Sequence, residues 1–250
     1  MNRFTTPLLA ALLLSGAAAS AQTTFRLGLR GGANQASTTV DPAGNSSGNY
    51  PFSSSIDKSA IYAWQAGVVL EASFGKLAFQ PALLFSQKGE ALHTTLFLSG
   101  FAGYNSDEVR STNRYNWLEV PLNVVYTLHG DHGLQVFAGP YVAVAVGGRQ
   151  RGSTASAYYG PPTYQIPSSA TSRDFDERVA YGPDTNNRRV DAGLNFGLGY
   201  RQGPVQAQLG YALGLLNLHK TTGRDYFPEL AATAAYNRGV QLTGTYFFAL

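Results

Sequence analysis

From residue 25 onward the chain alternates apolar and polar side chains with a period of two. The clearest stretch covers residues 118–128. Leu118, Val120, Leu122, Val124, Tyr126 and Leu128 share one parity; Glu119, Pro121, Asn123, Val125 and Thr127 share the other. Successive side chains of a strand point to opposite faces, so this pattern predicts a strand with one apolar face and one mostly polar face. Seven further segments predict strands. Phe25, Leu27 and Leu29 alternate with Arg26, Gly28 and Arg30, and Trp64, Val68 and Leu70 with Gln65 and Glu71. Leu77, Phe79 and Leu83 oppose Gln80, Ser86 and Lys88. Residues 134–146 are apolar on both parities, with small residues on one. Leu194, Phe196 and Tyr200 oppose Asp191 and Asn195; Leu209 and Leu213 oppose Gln206 and Gln208; Leu242, Tyr246 and Phe248 oppose Gln241, Thr243 and Thr245.

Most of these segments are long enough to cross a bilayer, where a tilted strand needs about 9–11 residues; globular strands are nearer 5–6. Tight glycine-bearing turns at Gly75-Lys76, residues 130–133 and Gln202-Gly203-Pro204 alternate with long segments at 34–60, 89–114, 148–187 and 217–238. The long segments are rich in Ser, Thr, Asn, Gly, Pro and Tyr and predict external loops. Short turns at one end and long loops at the other are the plan of an outer-membrane barrel. A strand in hydrocarbon cannot leave its backbone polar groups unpaired, so the sheet must close. The predicted fold is all-β: an eight-stranded antiparallel up-and-down transmembrane β-barrel. Eight strands enclose a space that side chains can fill. Pro81, Pro121 and Pro140 lie inside predicted strands and predict bulges or breaks there, because proline removes a ladder hydrogen bond.

On the inward parity, Arg26, Arg30 and Lys88 face Glu71, Glu119 and Asp191. Three cations and three anions predict a neutralised charge network that plugs the lumen, since an unpaired buried charge is costly. Aromatic residues fall where interfacial girdles belong. Phe25, Phe74, Tyr126, Tyr200 and Phe248 lie near the turn side, and Tyr62, Trp64 and Phe85 near the loop side; Trp117 falls on the inward parity instead. The third long loop carries Tyr158, Tyr159, Tyr164 and Tyr181 among small polar residues, a composition common in adaptable binding surfaces.

The amino terminus changes where the barrel is expected. Arg3, the apolar residues 8–14 and Ala19-Ser20-Ala21 form a signal-peptide pattern over residues 1–21, with cleavage after Ala21 and a barrel domain over 22–250. No later run of apolar residues is long enough for a membrane helix. Export leaves a periplasmic, secreted or outer-membrane protein, and strand length selects the last. Charged residues make up 13% of the chain, well below the roughly 25% of soluble domains. A net charge of +3 without a long basic run gives no footprint for nucleic acid. The absence of cysteine excludes disulfides and thiolate metal sites.

Little in the sequence suggests chemistry. His129 and His132 flank Asp131 in a tight turn, which reads as exposed polar residues before it reads as a metal site. His93, beside Thr94 and Thr95, and His219, six residues before Asp225, are the histidines a rim hydrolase would use, but their spacing guarantees no nucleophile–base contact. Asp174, Asp176 and Glu177 lack calcium-loop spacing. The expectation is a non-enzyme without cofactor or metal.

Several blocks carry a family resemblance: Gly28-Leu29-Arg30-Gly31-Gly32-Ala33-Asn34, Phe79-Gln80-Pro81-Ala82-Leu83-Leu84-Phe85-Ser86-Gln87-Lys88-Gly89, Leu118-Glu119-Val120-Pro121-Leu122, Gly139-Pro140-Tyr141, Asp191-Ala192-Gly193-Leu194, Tyr211-Ala212-Leu213-Gly214-Leu215 and Gln241-Leu242-Thr243-Gly244-Thr245-Tyr246-Phe247-Phe248. In this order they resemble the PorT-like outer-membrane β-barrel family of Bacteroidetes-type bacteria. The resemblance implies an integral outer-membrane protein, solvated by outer-membrane lipid and inserted by the barrel-assembly machinery, and it implies that the strand prolines are shared family features. The expected function is a scaffold whose external loops bind a surface ligand, lipopolysaccharide or an envelope protein partner. The alternatives are an accessory part of a protein-export machine, a rim hydrolase and a narrow pore.

Overall fold

The computed structural model describes residues 23–41, 52–100, 102–130, 132–181, 185, 187–219 and 234–249. The expected signal peptide, Asp131 and Asp225 lie outside these residues. Nine strands are present: β1 Thr24–Asp41, β2 Phe52–Phe74, β3 Leu77–Gly100, β4 Gly103–Thr127, β5 His132–Tyr159, β6 Ser169–Arg178, β7 Val190–Gln202, β8 Val205–Gly214 and β9 Ala234–Ala249. Each consecutive pair from β1 to β5 is antiparallel and hydrogen-bonded. The lower half of β5 then pairs with β7, β7 with β8, β8 with β9, and β9 returns to β1. Eight strands therefore close a ring, as alternation predicts. The ninth, β6, pairs with the upper half of β5 (Arg149↔Arg178 to Tyr158↔Ser169) and stands above β7.

The ring is built inside out relative to a soluble protein. Leu27, Leu29, Val68, Leu83, Val124, Val142, Phe196, Leu209 and Leu242 face outward and are exposed, whereas Gln65, Glu71, Gln80, Gln135 and Asp191 are buried inside. Every face assignment drawn from the alternating segments holds, because the side-chain period of two fixes all faces once one is set. Phe25, Phe74, Tyr126, Tyr200 and Phe248 ring the turn side on the outside, and Trp64 packs against Phe85 at the other rim with ring centroids 5.2 Å apart. An outward apolar belt between two aromatic girdles is a surface for hydrocarbon, and the short turns mark its periplasmic end.

Two expectations need correction. The long segments are not loops throughout. β1 runs to Asp41, β3 and β4 meet at a turn around Ala102, and β5 extends to Tyr159. Strands β2 to β5 hold 23, 24, 25 and 28 residues. A bilayer takes about 9–11 of them. The rest, about 12–19 per strand, extend for roughly 40–60 Å at about 3.3 Å per residue. With β6 they form a five-stranded sheet beyond the outer girdle. Water wets both of its faces, so apolar–polar alternation is lost there and composition alone reads as loop.

The second correction concerns proline. The register is unbroken through Pro81, Pro121 and Pro140: Pro81↔Leu122 and Leu84↔Glu119 share one register, as do Pro121↔Tyr141 and Val124↔Ala138. Each proline leaves a local gap in one ladder instead of a bulge. The register shifts lie between Ala60 and Gln65 on β2 and between Asn116 and Trp117 on β4, at the outer rim where the ring passes into the projecting sheet. Bulges are common at barrel rims because they bend the strand and increase its twist.

Leu209 is exposed near the middle of the belt, opposite Leu198 and Leu242 on its two neighbours. Leu209→Arg should cost about 2–4 kcal/mol when unfolding is measured from lipid vesicles. A cost within about 0.5 kcal/mol, normal for a water-facing position, would mean that the belt does not face lipid.

Candidate functional site

The strand parity that turns leucines toward lipid turns charges toward the axis, and these sort into three tiers. In the lowest, Glu71 of β2 is fully buried and receives Arg26 of β1 at 3.0 Å and Arg201 of β7 at 2.6 Å. Gln80 donates its amide to the same carboxylate at 2.7 Å, and the Arg201 guanidinium lies 4.8 Å from the Phe247 ring centre. Arg30 is not paired with a carboxylate as expected. Its guanidinium donates to Thr245 Oγ1 at 2.9 Å, Gln80 Oε1 at 3.3 Å and Gln206 Oε1 at 3.4 Å. Gln206 donates on to Gln135 (2.7 Å), and Gln135 to Thr127 (2.8 Å). A chain of side-chain hydrogen bonds thus crosses the lumen.

In the middle tier Lys88 lies 2.6 Å from Glu119 and 3.8 Å from Asp191, with its ammonium 4.4 Å from the centre of the Tyr141 ring. The Tyr141 hydroxyl and the Asn237 amide donate to Asp191 Oδ2 at 3.0 and 2.8 Å. All six charged residues predicted for the lumen do face it. Between the two tiers the gap lined by Gln65, Asn123, Asn195 and Gln208 has a volume of about 20 Å³. That gap holds about one water molecule.

The third tier was not anticipated. Glu90 of β3 is buried and accepts hydrogen bonds from Thr38, from the Asn113 amide at 2.9 Å and from the Tyr115 hydroxyl at 3.1 Å. Above it opens a cavity of about 170 Å³ at the outer mouth of the ring, walled by Tyr115, Trp117, Tyr181, Leu92, Leu218 and His219. Trp117 packs on Tyr141, Ala143 and Ala145 and forms the floor. The small residues on the inward face of β5 make room for this indole, which accounts for a tryptophan off the girdle. Arg201 and Glu90 were both legible. Each continues an inward parity, one from Asp191 and the other from Lys88, just past where the strand seemed to end.

The four tyrosines expected on a loop have separate fates. Tyr158 and Tyr159 belong to β5. Tyr158 donates to Ala102 O at 2.9 Å, and Tyr159 stacks on Tyr104 at 4.6 Å. Tyr164 sits in the β5–β6 connection with φ 52° and accepts from Tyr104 at its carbonyl. Tyr181 is half-buried over the cavity, and its hydroxyl donates to Gly147 O at 3.4 Å; burial pushes this phenol up to about 12. The structure therefore does not gather them into one surface. Of the histidines, the His129 and His132 rings stack at 5.7 Å, and His93 Nε2 lies 2.7 Å from Glu108. Among the described residues no group of three or more metal-ligating side chains forms.

On the projecting sheet, the Arg110 guanidinium and then the His93 ring hold the Glu108 carboxyl below its ordinary value. Arg149, then Arg151, do the same for Asp176 across the β5–β6 pair. A depressed folded pKa means stability present above the unfolded carboxylate value and lost as pH falls through the folded one. Amide exchange along β6 should therefore accelerate below about pH 4 while the ring stays protected; uniform acceleration in both would contradict this. In the lumen, Glu71→Ala strands two arginines and should destabilise the ring by about 3–5 kcal/mol. Unfolding from vesicles checks this, and a loss below about 1 kcal/mol would show that Glu71 does not hold the plug.

No curated protein matches the chain. Among solved structures, the deltaS2 mutant of the TodX monoaromatic hydrocarbon channel shares 9% identity over 93% of this chain and 91% of its own, with a TM-score of 0.20. OpdL of Pseudomonas aeruginosa shares 8% identity over 92% of this chain and 99% of its own, with a TM-score of 0.16. Overlap so slight carries nothing about this chain. A family described as outer membrane protein beta-barrel domain, by contrast, matches residues 19–220, most of the length. With its closed ring, lipid-facing belt and polar interior, the chain belongs to that outer-membrane β-barrel family.

Proposed function

We propose that this outer-membrane barrel is a sealed, non-catalytic scaffold that holds an extracellular sheet and a binding mouth at the cell surface. One observation carries the reading: Glu71, Lys88, Glu119 and Asp191 are all buried in contact with groups from other strands. Ion pairs of this kind lock a lumen and leave no water-filled lane. Binding then belongs to what stands outside the bilayer, where loops and extensions on a rigid scaffold commonly carry function. The projecting part of β2 to β6 offers polar side chains on both faces, suited to a protein partner, lipopolysaccharide or a smaller ligand.

The strand blocks that resemble PorT-like barrels favour a second reading, an accessory role in protein export. Co-purification of a multiprotein export complex would support it. The principal reading is tested in planar bilayers, where the full barrel should give no stepwise conductance. A steady, ion-selective current would overturn it. In intact cells, a photocrosslinker at Thr171 on β6 should capture a discrete surface component, because that strand stands outside the ring.

A further inference from the structure

The outer mouth carries an unused set of groups. Glu90 is 4% exposed and sits at the foot of the cavity. Among the described residues its hydrogen-bond partners are Thr38, Asn113 and Tyr115, all neutral donors. It differs in this from Glu71, Glu119 and Asp191, each of which has a cation within 4 Å. The three donors hold both carboxylate oxygens in place, a geometry suited to the acceptor-only ionised form. Among the described residues no ion pair within 4 Å forms to it. Around it stand the rings of Tyr115, Trp117 and Tyr181. Trp117 is 1% exposed and its indole N–H has no hydrogen-bond partner. Leu92 and Leu218 complete an apolar wall, and exposed Arg188 lies on the cavity lining.

A buried anion within an aromatic enclosure is the chemistry that recognises an ammonium group. The carboxylate supplies the charge, and ring faces attract a cation more strongly once water is displaced. A cavity of about 170 Å³ is well below the roughly 300–1,000 Å³ of drug-sized sites, so the occupant is small. From these observations we propose that the outer mouth binds a small ammonium-bearing molecule of about amino-acid size. Its positive group sits at Glu90 among Tyr115, Trp117 and Tyr181, and any carboxylate it carries is directed toward Arg188. This deepens the scaffold reading by naming a ligand class for the mouth, and it rests on the ring being sealed beneath.

The chain has two tryptophans, and Trp64 lies on the lipid face. Trp64→Phe therefore leaves Trp117 as the sole tryptophan and a reporter inside the cavity. The full barrel carrying this change, refolded in detergent and checked by heat-modifiable gel mobility, is titrated with choline, L-leucine and isovalerate. Choline or L-leucine should change the Trp117 emission saturably. Isovalerate, which has the size but not the ammonium, should not. Glu90→Gln in the same background should weaken the response at least tenfold, and Tyr181→Ala should weaken it too without touching the buried carboxylate. No saturable response to either ammonium compound overturns the proposal, as does an undiminished response in a folded Glu90→Gln variant. If Glu90→Gln does not fold, Tyr181→Ala decides by the same criterion. Conductance of the same preparation is read separately. An ion current with no ligand response fails both readings, whereas silence in both experiments removes only the ligand.

Discussion

Backbone groups in hydrocarbon have no water to bond with, and the rest of this molecule depends on that constraint. Each unpaired N–H or C=O would cost several kcal/mol, so the eight ring strands must each find two neighbours. β9 closing on β1, from Arg26↔Ala249 to Asp41↔Ala234, meets the demand. Closure then divides the side chains. Those outside meet lipid and are apolar; those inside meet one another and are mostly polar, with small apolar clusters such as Val69, Leu84 and Phe247 among them. The three strand prolines show how firm the arrangement is, since each interrupts a ladder locally and none displaces the register.

The interior solves a second problem created by the first. A ring of eight strands is too narrow for bulk water and too wide to be empty, so its polar face must satisfy itself. Glu71 gathers donors from three strands, and Lys88 is held between two carboxylates and a tyrosine ring. Partners contributed by different strands tie the ring across its diameter, and in the proposed reading the same groups seal it. Above the seal the demand changes. There Glu90 meets hydroxyl and amide donors, and the structure opens into a cavity, not a plug.

Much of this was legible before any coordinates, and the boundary of legibility is physical. Within the bilayer each strand separates two very different solvents, so alternation from Leu118 to Leu128 declares both faces and places Glu119 in the lumen. Beyond the outer girdle that contrast disappears. Segments such as residues 89–100, 103–114 and 148–159 read as loops from their Ser, Thr, Asn and Gly content, yet they are strand. Strand ends set too early also hid Glu90 and Arg201, the two charges that complete the upper and lower tiers. Partner choice inside the lumen was beyond reach for another reason. Parity gives the face but not the height, and only the register shows that Arg30 meets amides while Arg201 takes the carboxylate.

The two tryptophans sit on opposite sides of the proposed wall, Trp64 half-exposed on the outside and Trp117 buried within. Fluorescence quenching by lipids brominated on their acyl chains reads this directly, using single-tryptophan variants reconstituted in bilayers. A closed ring gives strong quenching of Trp64 with little or none of Trp117. Equal quenching of both, or protection of Trp64, would contradict a closed ring with lipid outside and side chains filling the inside.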